Sequence, residues 1–209
     1  YKKRSYGRCH SKDENFFYSS NSLEATILEL QPKDKNIILS GVFKLRSNRN
    51  PPIAVFAGIE CLKGITEYNV GLEKYTYAKE IDREFEHEIA ERFQTQITNS
   101  NRDEYYHTIA LTHILLKNSE HQCIIYPSVA SNYRLVNYGF KSAFVDENLY
   151  CEDIGVFLVE KSQSFYILKP VLWGNIIQNQ NVPKDSNIQW LTPLTAEDAA
   201  LGTFRYPID

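Results

Sequence analysis

Apolar and polar positions follow two different periods along this chain, and each change of period marks an element. From Asp82 to Asn99, Phe85, Ile89, Phe93 and Ile97 recur at every fourth position, with acids in the first turn. That pattern predicts an amphipathic helix. A second helix is predicted from about Arg102 to Lys117, behind Ser100-Asn101-Arg102-Asp103, which resembles a capping box with Asp where Glu or Gln is usual. Its interior residues Ile109, Ala110, Leu111, Ile114, Leu115 and Leu116 are apolar nearly all round, so burial on every side is expected. A shorter helix covers Ser22 to Leu30, with Leu23, Ile27 and Leu30 at helical spacing and Ser22 as N-cap. Gln31-Pro32-Lys33-Asp34 stops it, because proline cannot continue a helix.

Strands are predicted where β-branched and aromatic residues cluster: Phe16-Phe17-Tyr18, Ile37 to Leu45 with a weakening or bulge at Gly41, and Cys123 to Tyr126 ending at Pro127. Asp153 to Glu160 and Ser164 to Val171 read as a hairpin across Lys161-Ser162-Gln163. Ile53 to Ile59 is a strand or the start of a buried helix, and Tyr68 to Lys79 fits neither period. The stretch through Asn15 reads as irregular, and the chain turns polar after Trp173. The expectation is one domain over 1–209, with a core of about 1–172 and a C-terminal extension of about 173–209. Strands and helices mix without a βαβ rhythm, which predicts an α+β fold: a mixed sheet with flanking helices.

The 209 residues carry 23 Lys plus Arg against 26 Asp plus Glu, a net charge of −3. A direct nucleic-acid binder would show a basic excess or stripe, so that class is set aside. No apolar run reaches the ~18–20 residues that span a bilayer, and no signal-peptide pattern opens the chain. No membrane association and a cytoplasmic location are therefore the expectation. The chain opens on Tyr1 and has no methionine, as expected of a cut or processed piece of a longer product. The cysteines Cys9, Cys61, Cys123 and Cys151 include no C-x-x-C pair, and Cys9–His10 and His121–Cys123 are poor chelating pairs. No metal site is expected. The glycine signatures of P-loop and Rossmann sites and the hydrolase nucleophile elbow are also missing.

What remains is a set of polar residues set against apolar structure. Arg8 lies in Tyr6-Gly7-Arg8-Cys9-His10, Glu29 closes the apolar run Leu23 to Leu30, and Ser128 leaves a buried strand. Taken singly, each has an ordinary reading: a solvated arginine, a glutamate on an exposed helix face, and a serine in a turn. Their order is more specific. Arg8 precedes the strand ending in Tyr18, Glu29 follows Tyr18 on the next helix, and Tyr126-Pro127-Ser128 follows the second long helix.

That order resembles the RES-domain family, named for a spaced arginine, glutamate and serine. The resemblance covers roughly residues 1–160 and is closest at 6–30 and 105–140. Asn137 stands where the family often has an asparagine. Cys9 replaces a common aromatic, Val129 to Arg134 replaces a small-residue stretch, and residues 46–102 align with nothing in the family. The resemblance implies an ADP-ribosyltransferase-like fold and an enzyme that consumes NAD by breaking the nicotinamide–ribose bond. NAD is then the substrate, with no cofactor.

Within that resemblance, Glu29 would stabilise the oxocarbenium-like transition state. Arg8 would hold the pyrophosphate as a planar bidentate donor, and Tyr18 would stack on nicotinamide. Ser128 would hydrogen-bond the amide or the ribose, with Asn137 beside it as a substrate contact. Water, phosphate or a protein could accept the ADP-ribose. Family members act as toxins neutralised by a DNA-binding antitoxin, which implies a protein partner here. A protein ADP-ribosyltransferase and a non-catalytic binding module on the same fold are the alternatives.

Overall fold

The computed structural model of the protein describes residues 6–57, 80–98, 102–117, 120–177, 187–191 and 204–208. The fold is α+β. In chain order the elements are β1 (Phe16–Ser20), α1 (Leu23–Leu30), β2 (Ile37–Leu45), β3 (Ile53–Phe56), α2 (Glu80–Gln94), α3 (Glu104–Leu115), β4 (His121–Pro127), β5 (Val136–Lys141), α4 (Ser142–Asn148), β6 (Leu149–Lys161), β7 (Phe165–Ile177), β8 (Asn187–Trp190) and β9 (Phe204–Pro207). They group into two compact units, Tyr1–Glu29 with Pro51–Val145, and Leu30–Asn50 with Asp146–Asp209.

The first unit is built on a mixed sheet in the order β1-β5-β4-β3, in which the β3–β4 pair is parallel and the others antiparallel. Its register creates two rows of side chains. Tyr18 lies opposite Gly139 and Gly139 opposite Ile124, while Ser20 lies opposite Asn137 and Asn137 opposite Tyr126. Alternation along each strand therefore puts Tyr18, Ser20, Asn137, Ile124 and Tyr126 on one face. A core of Cys9, Ala57, Ile89, Phe93, Leu116, Ile124 and Tyr126 packs there, and Cys123, Ile125 and Val136 form a separate cluster with Tyr138 and Phe140.

Neither β5 nor α4 is predicted from the sequence. The β5 run Val-Asn-Tyr-Gly-Phe-Lys carries an asparagine and a glycine, both poor strand formers, and pairing on both sides overrides that preference. Gly139 is there for space. A Cβ at that position would lie 3.0 Å from Ile124 and Phe16 and 3.3 Å from the Cys9 sulfur. Gly139→Ala is expected to cost about 1–3 kcal/mol through overpacking. A urea midpoint equal to that of the unsubstituted protein would show that these neighbours yield freely.

Both long helices differ from expectation. The first ends at Gln94 rather than Asn99, so Ile97 lies beyond it. Ile89, Ala90 and Phe93 face the core, whereas Phe85 is exposed. The Thr95 hydroxyl donates to the Glu91 carbonyl at 2.9 Å, a local bond that helps close the last turn. In α3 the buried stripe is Thr108, Ile109 and Thr112, and Ile114 is exposed. Two threonines are tolerated there because their hydroxyls bond backward, Thr112 to the Thr108 carbonyl at 2.8 Å and Thr108 to the Tyr105 carbonyl at 3.2 Å. Asp103 is the N-cap of α3 but makes no side-chain capping bond, and Ser100 lies outside the described residues.

The second unit is antiparallel, β2-β6-β7-β8, with β9 also paired to β7. The predicted hairpin is β6–β7, and both strands are longer than expected. The Ser162 hydroxyl accepts from the amides of Ser164 at 3.3 Å and Phe165 at 3.1 Å, which closes the turn. β7 runs through the expected boundary at 172 because Asn175 pairs with Asp153 on one side and Gln189 on the other. The irregularity in β2 falls between Val42 and Phe43, not at Gly41. Cys61 and the Tyr68 to Lys79 stretch lie outside the described residues. No helix among the described residues is long and apolar enough to cross a membrane.

Candidate functional site

Glu29 owes its place to the two ends of α1. At the start, the Ala25 amide donates to the Ser22 hydroxyl at 3.1 Å, the expected cap. At the other end Gln31 adopts a left-handed conformation (φ 44°), and Pro32 follows. Ala25, Ile27 and Leu28 form the buried side, so the predicted Leu30 position is exposed instead. Glu29 stands in the last turn, exposed, with its carboxylate directed at the first unit's sheet.

Two donors meet that carboxylate on one oxygen. The Ser128 hydroxyl donates to Glu29 Oε1 at 2.6 Å, and Asn137 Nδ2 donates to the same oxygen at 2.7 Å. Ser128 is fully buried and Asn137 is 5% exposed, so both donors are held from below. Glu29 Oε2 has no hydrogen-bond partner among the described residues. Among the described residues, the carboxylate is thus fixed by one oxygen and unbonded at the other. Bonds of this charge-assisted kind are the shorter and stronger ones in proteins.

Ser128 is fixed by the tight connection between β4 and β5. Its amide donates to the Leu135 carbonyl at 2.8 Å, and its hydroxyl accepts from the Ser131 amide at 3.3 Å. Asn132 and Tyr133 are both left-handed, with φ of 50° and 63°. Strain of that kind costs about 1–3 kcal/mol per residue and persists where surrounding bonds compel it. Here the Tyr133 amide donates to the Ser128 carbonyl at 3.0 Å and its hydroxyl to the Gln94 carbonyl at 3.2 Å.

Tyr18 is 36% exposed. The hydroxyl accepts from the Cys9 amide at 2.8 Å and bonds His10 Nδ1 at 2.7 Å. Burial pushes this phenol well above its ordinary range, and Cys9 adds to the effect. Gly7 is required beside it, since a Cβ there would approach the hydroxyl to 2.8 Å and collide with His10. Cys9 itself is a buried free thiol that burial pushes up to about 12, which leaves it inert as a nucleophile.

Arg8 spends part of its fork on structure. Its Nη1 donates to the Phe93 carbonyl at 3.1 Å and the Thr95 carbonyl at 3.3 Å, and Nη2 donates to Thr95 at 3.3 Å. These are orphan carbonyls at the C-terminus of α2, where a cation is favoured. Arg8 and Tyr18 make no hydrogen bond to Glu29 or Ser128 among the described residues. Burial raises the Tyr126 phenol well above its ordinary range, with Cys9, Tyr18 and Glu29 adding to the shift and Arg8 opposing it.

The predicted residues thus divide into a bonded group, Glu29, Ser128 and Asn137, and two residues bonded elsewhere, Arg8 to the end of α2 and Tyr18 to Cys9 and His10. The Ser128 hydroxyl donates to Glu29. Tyr126 and Ser20 were not singled out by the sequence. The period-2 pattern puts Ser20 on the face of Tyr18, but its partner becomes visible only through the β1–β5 register. An open cleft of about 480 Å³ elsewhere on the unit is lined by Phe16, Thr112, His113, Leu116 and Lys141, among others, and by none of the five predicted residues. No protein-family model, curated protein or solved structure matches the chain.

Proposed function

We propose that the chain is a RES-domain enzyme with an ADP-ribosyltransferase-like fold that cleaves the nicotinamide–ribose bond of NAD. The observation that carries this reading is the Glu29 carboxylate, held at Oε1 by Ser128 and Asn137 and open at Oε2. Cleavage sends the C–N bonding pair out with nicotinamide and leaves positive charge on the ribose. A fixed carboxylate stabilises that charge and needs no rearrangement at the moment of reaction. Ser128 and Asn137 then act through Glu29. The exposed ring of Tyr18 offers a stacking surface to nicotinamide. Arg8 keeps donors beyond those spent on α2 and takes the pyrophosphate. Water or phosphate attacks the ribose carbon, and the proton lost goes to solvent. A cytoplasmic toxin restrained by a protein antitoxin is the biological setting that accompanies this reading.

The test is nicotinamide release from NAD by purified protein, with and without phosphate. Release stimulated by phosphate identifies a phosphorylase, and release without it a glycohydrolase. ADP-ribose appearing only on added protein would replace the reading by a protein ADP-ribosyltransferase. Tight NAD binding with no release would leave a binding module.

Arg8→Lys keeps the charge and loses the planar fork. NAD affinity measured by calorimetry is expected to fall about tenfold or more, since a charge-assisted bond contributes about 1.5–3 kcal/mol. Thermal stability should fall too, because Phe93 and Thr95 lose donors. Unchanged affinity would remove Arg8 from the site.

A further inference from the structure

The donor Asn137 depends on a residue that neither the motif order nor the resemblance names. Ser20 lies directly opposite Asn137 in the β1–β5 register. Its hydroxyl donates to Asn137 Oδ1 at 2.8 Å, across a sequence separation of 117. Asn137 Nδ2 in turn donates to Glu29 Oε1 at 2.7 Å. The three side chains form one directed chain of donors, hydroxyl to amide to carboxylate.

We propose that Ser20 is a positioning residue that sets Glu29 through Asn137. This rests on Glu29 being the group that meets the ribose. The amide of Asn137 is 5% exposed, so its carbonyl oxygen has little access to water. An asparagine amide has a separate acceptor and donor end, and Ser20 satisfies the acceptor end. Without that hydroxyl the buried oxygen is unsatisfied, and turning it toward solvent draws Nδ2 away from Glu29. Glu29 then keeps the Ser128 bond alone and can swing about it. Hydrogen bonds in series also polarise one another, so the Asn137 donor is strengthened by Ser20. Ser19, one position earlier, lies opposite Tyr138 and projects to the other face, so the role belongs to Ser20 alone of the pair.

The experiment compares Ser20→Ala and Ser20→Thr with the unsubstituted protein in two measurements. The first is steady-state nicotinamide release. Ser20→Ala is expected to lower kcat about tenfold with KM unchanged within about twofold, one hydrogen bond's worth of positioning. Ser20→Thr keeps the hydroxyl and should recover most of the loss. The second is the side-chain amide NMR signal of Asn137, assigned by its loss in Asn137→Asp. It should be protected from exchange in the unsubstituted and Ser20→Thr proteins and exchange rapidly in Ser20→Ala. A folded Ser20→Ala protein with a protected amide signal overturns the proposal, whatever its kcat. A mobile amide with unchanged kcat also overturns it. If the unsubstituted protein releases no nicotinamide, the reading of Glu29 fails. The amide measurement still decides by itself whether Ser20 holds Asn137.

Discussion

Glu29→Gln protein is expected to bind NAD with nearly normal affinity and to turn it over about 10²–10³-fold more slowly, roughly 3–4 kcal/mol of lost transition-state stabilisation. The substitution is close to isosteric. The new amide oxygen can still accept from Ser128 and Asn137, so the buried donors keep a partner. What disappears is the negative charge at the open oxygen. If that charge acts on positive charge developing at the ribose, its loss falls on kcat and not on ground-state binding. A glutamate serving only to tie α1 to the sheet predicts the opposite pattern, with a lower melting temperature and activity that follows the folded fraction. The measurement is nicotinamide release by folded Glu29→Gln protein, with calorimetry for NAD. Near-normal turnover would end the catalytic role of Glu29.

Phe93→Ala is expected to cost about 3–5 kcal/mol of folding free energy. Phe93 is fully buried, its ring centroid lies 5.5 Å from that of Tyr126, and it shares a cluster with Ile89, Leu116 and Ile124. Truncation removes the ring and leaves a cavity that the flanking helix and sheet fill only in part. Since whole domains are stable by about 5–15 kcal/mol, one such change takes a large share. The urea midpoint should fall with little change in slope, and Phe93→Leu should lose less. A loss below about 1 kcal/mol would mean that α2 does not pack as core. The site should loosen as well, because the Phe93 carbonyl anchors Arg8 and the Phe93 ring packs on Tyr126, which lies beside Asn137 in the sheet.

Legibility in the sequence tracked how local each cause is. The cap of α1 and its stop at Pro32 lie within ten residues and were readable from residue types. The face of α3 was not, because Thr108 and Thr112 look polar until their backward hydrogen bonds are counted. β5 was missed because Asn137 and Gly139 weaken the strand pattern, and their reasons for being there lie on β1 and β4. The planar fork of Arg8 is legible in the sequence, whereas its use by the end of α2 depends on carbonyls 85 and 87 positions away.

By itself the sequence determined an α+β chain, a glutamate at the end of a capped apolar helix, and a serine at the exit of a buried strand. Periodicity, caps and proline are short-range, so the residues that cause them are also the residues that show them. The tertiary structure decided what these side chains are to one another. The register of β1 on β5 and β5 on β4 places Ser20, Asn137 and Tyr126 in one row, and the end of α1 carries Glu29 to its edge. Which carboxylate oxygen is held and which is open follows from pairings across 99 and 108 positions. A one-residue slip of β5 would turn Asn137 to the opposite face, and one of β1 would turn Ser20 away from it. No local pattern encodes that register; the packing of the whole sheet sets it.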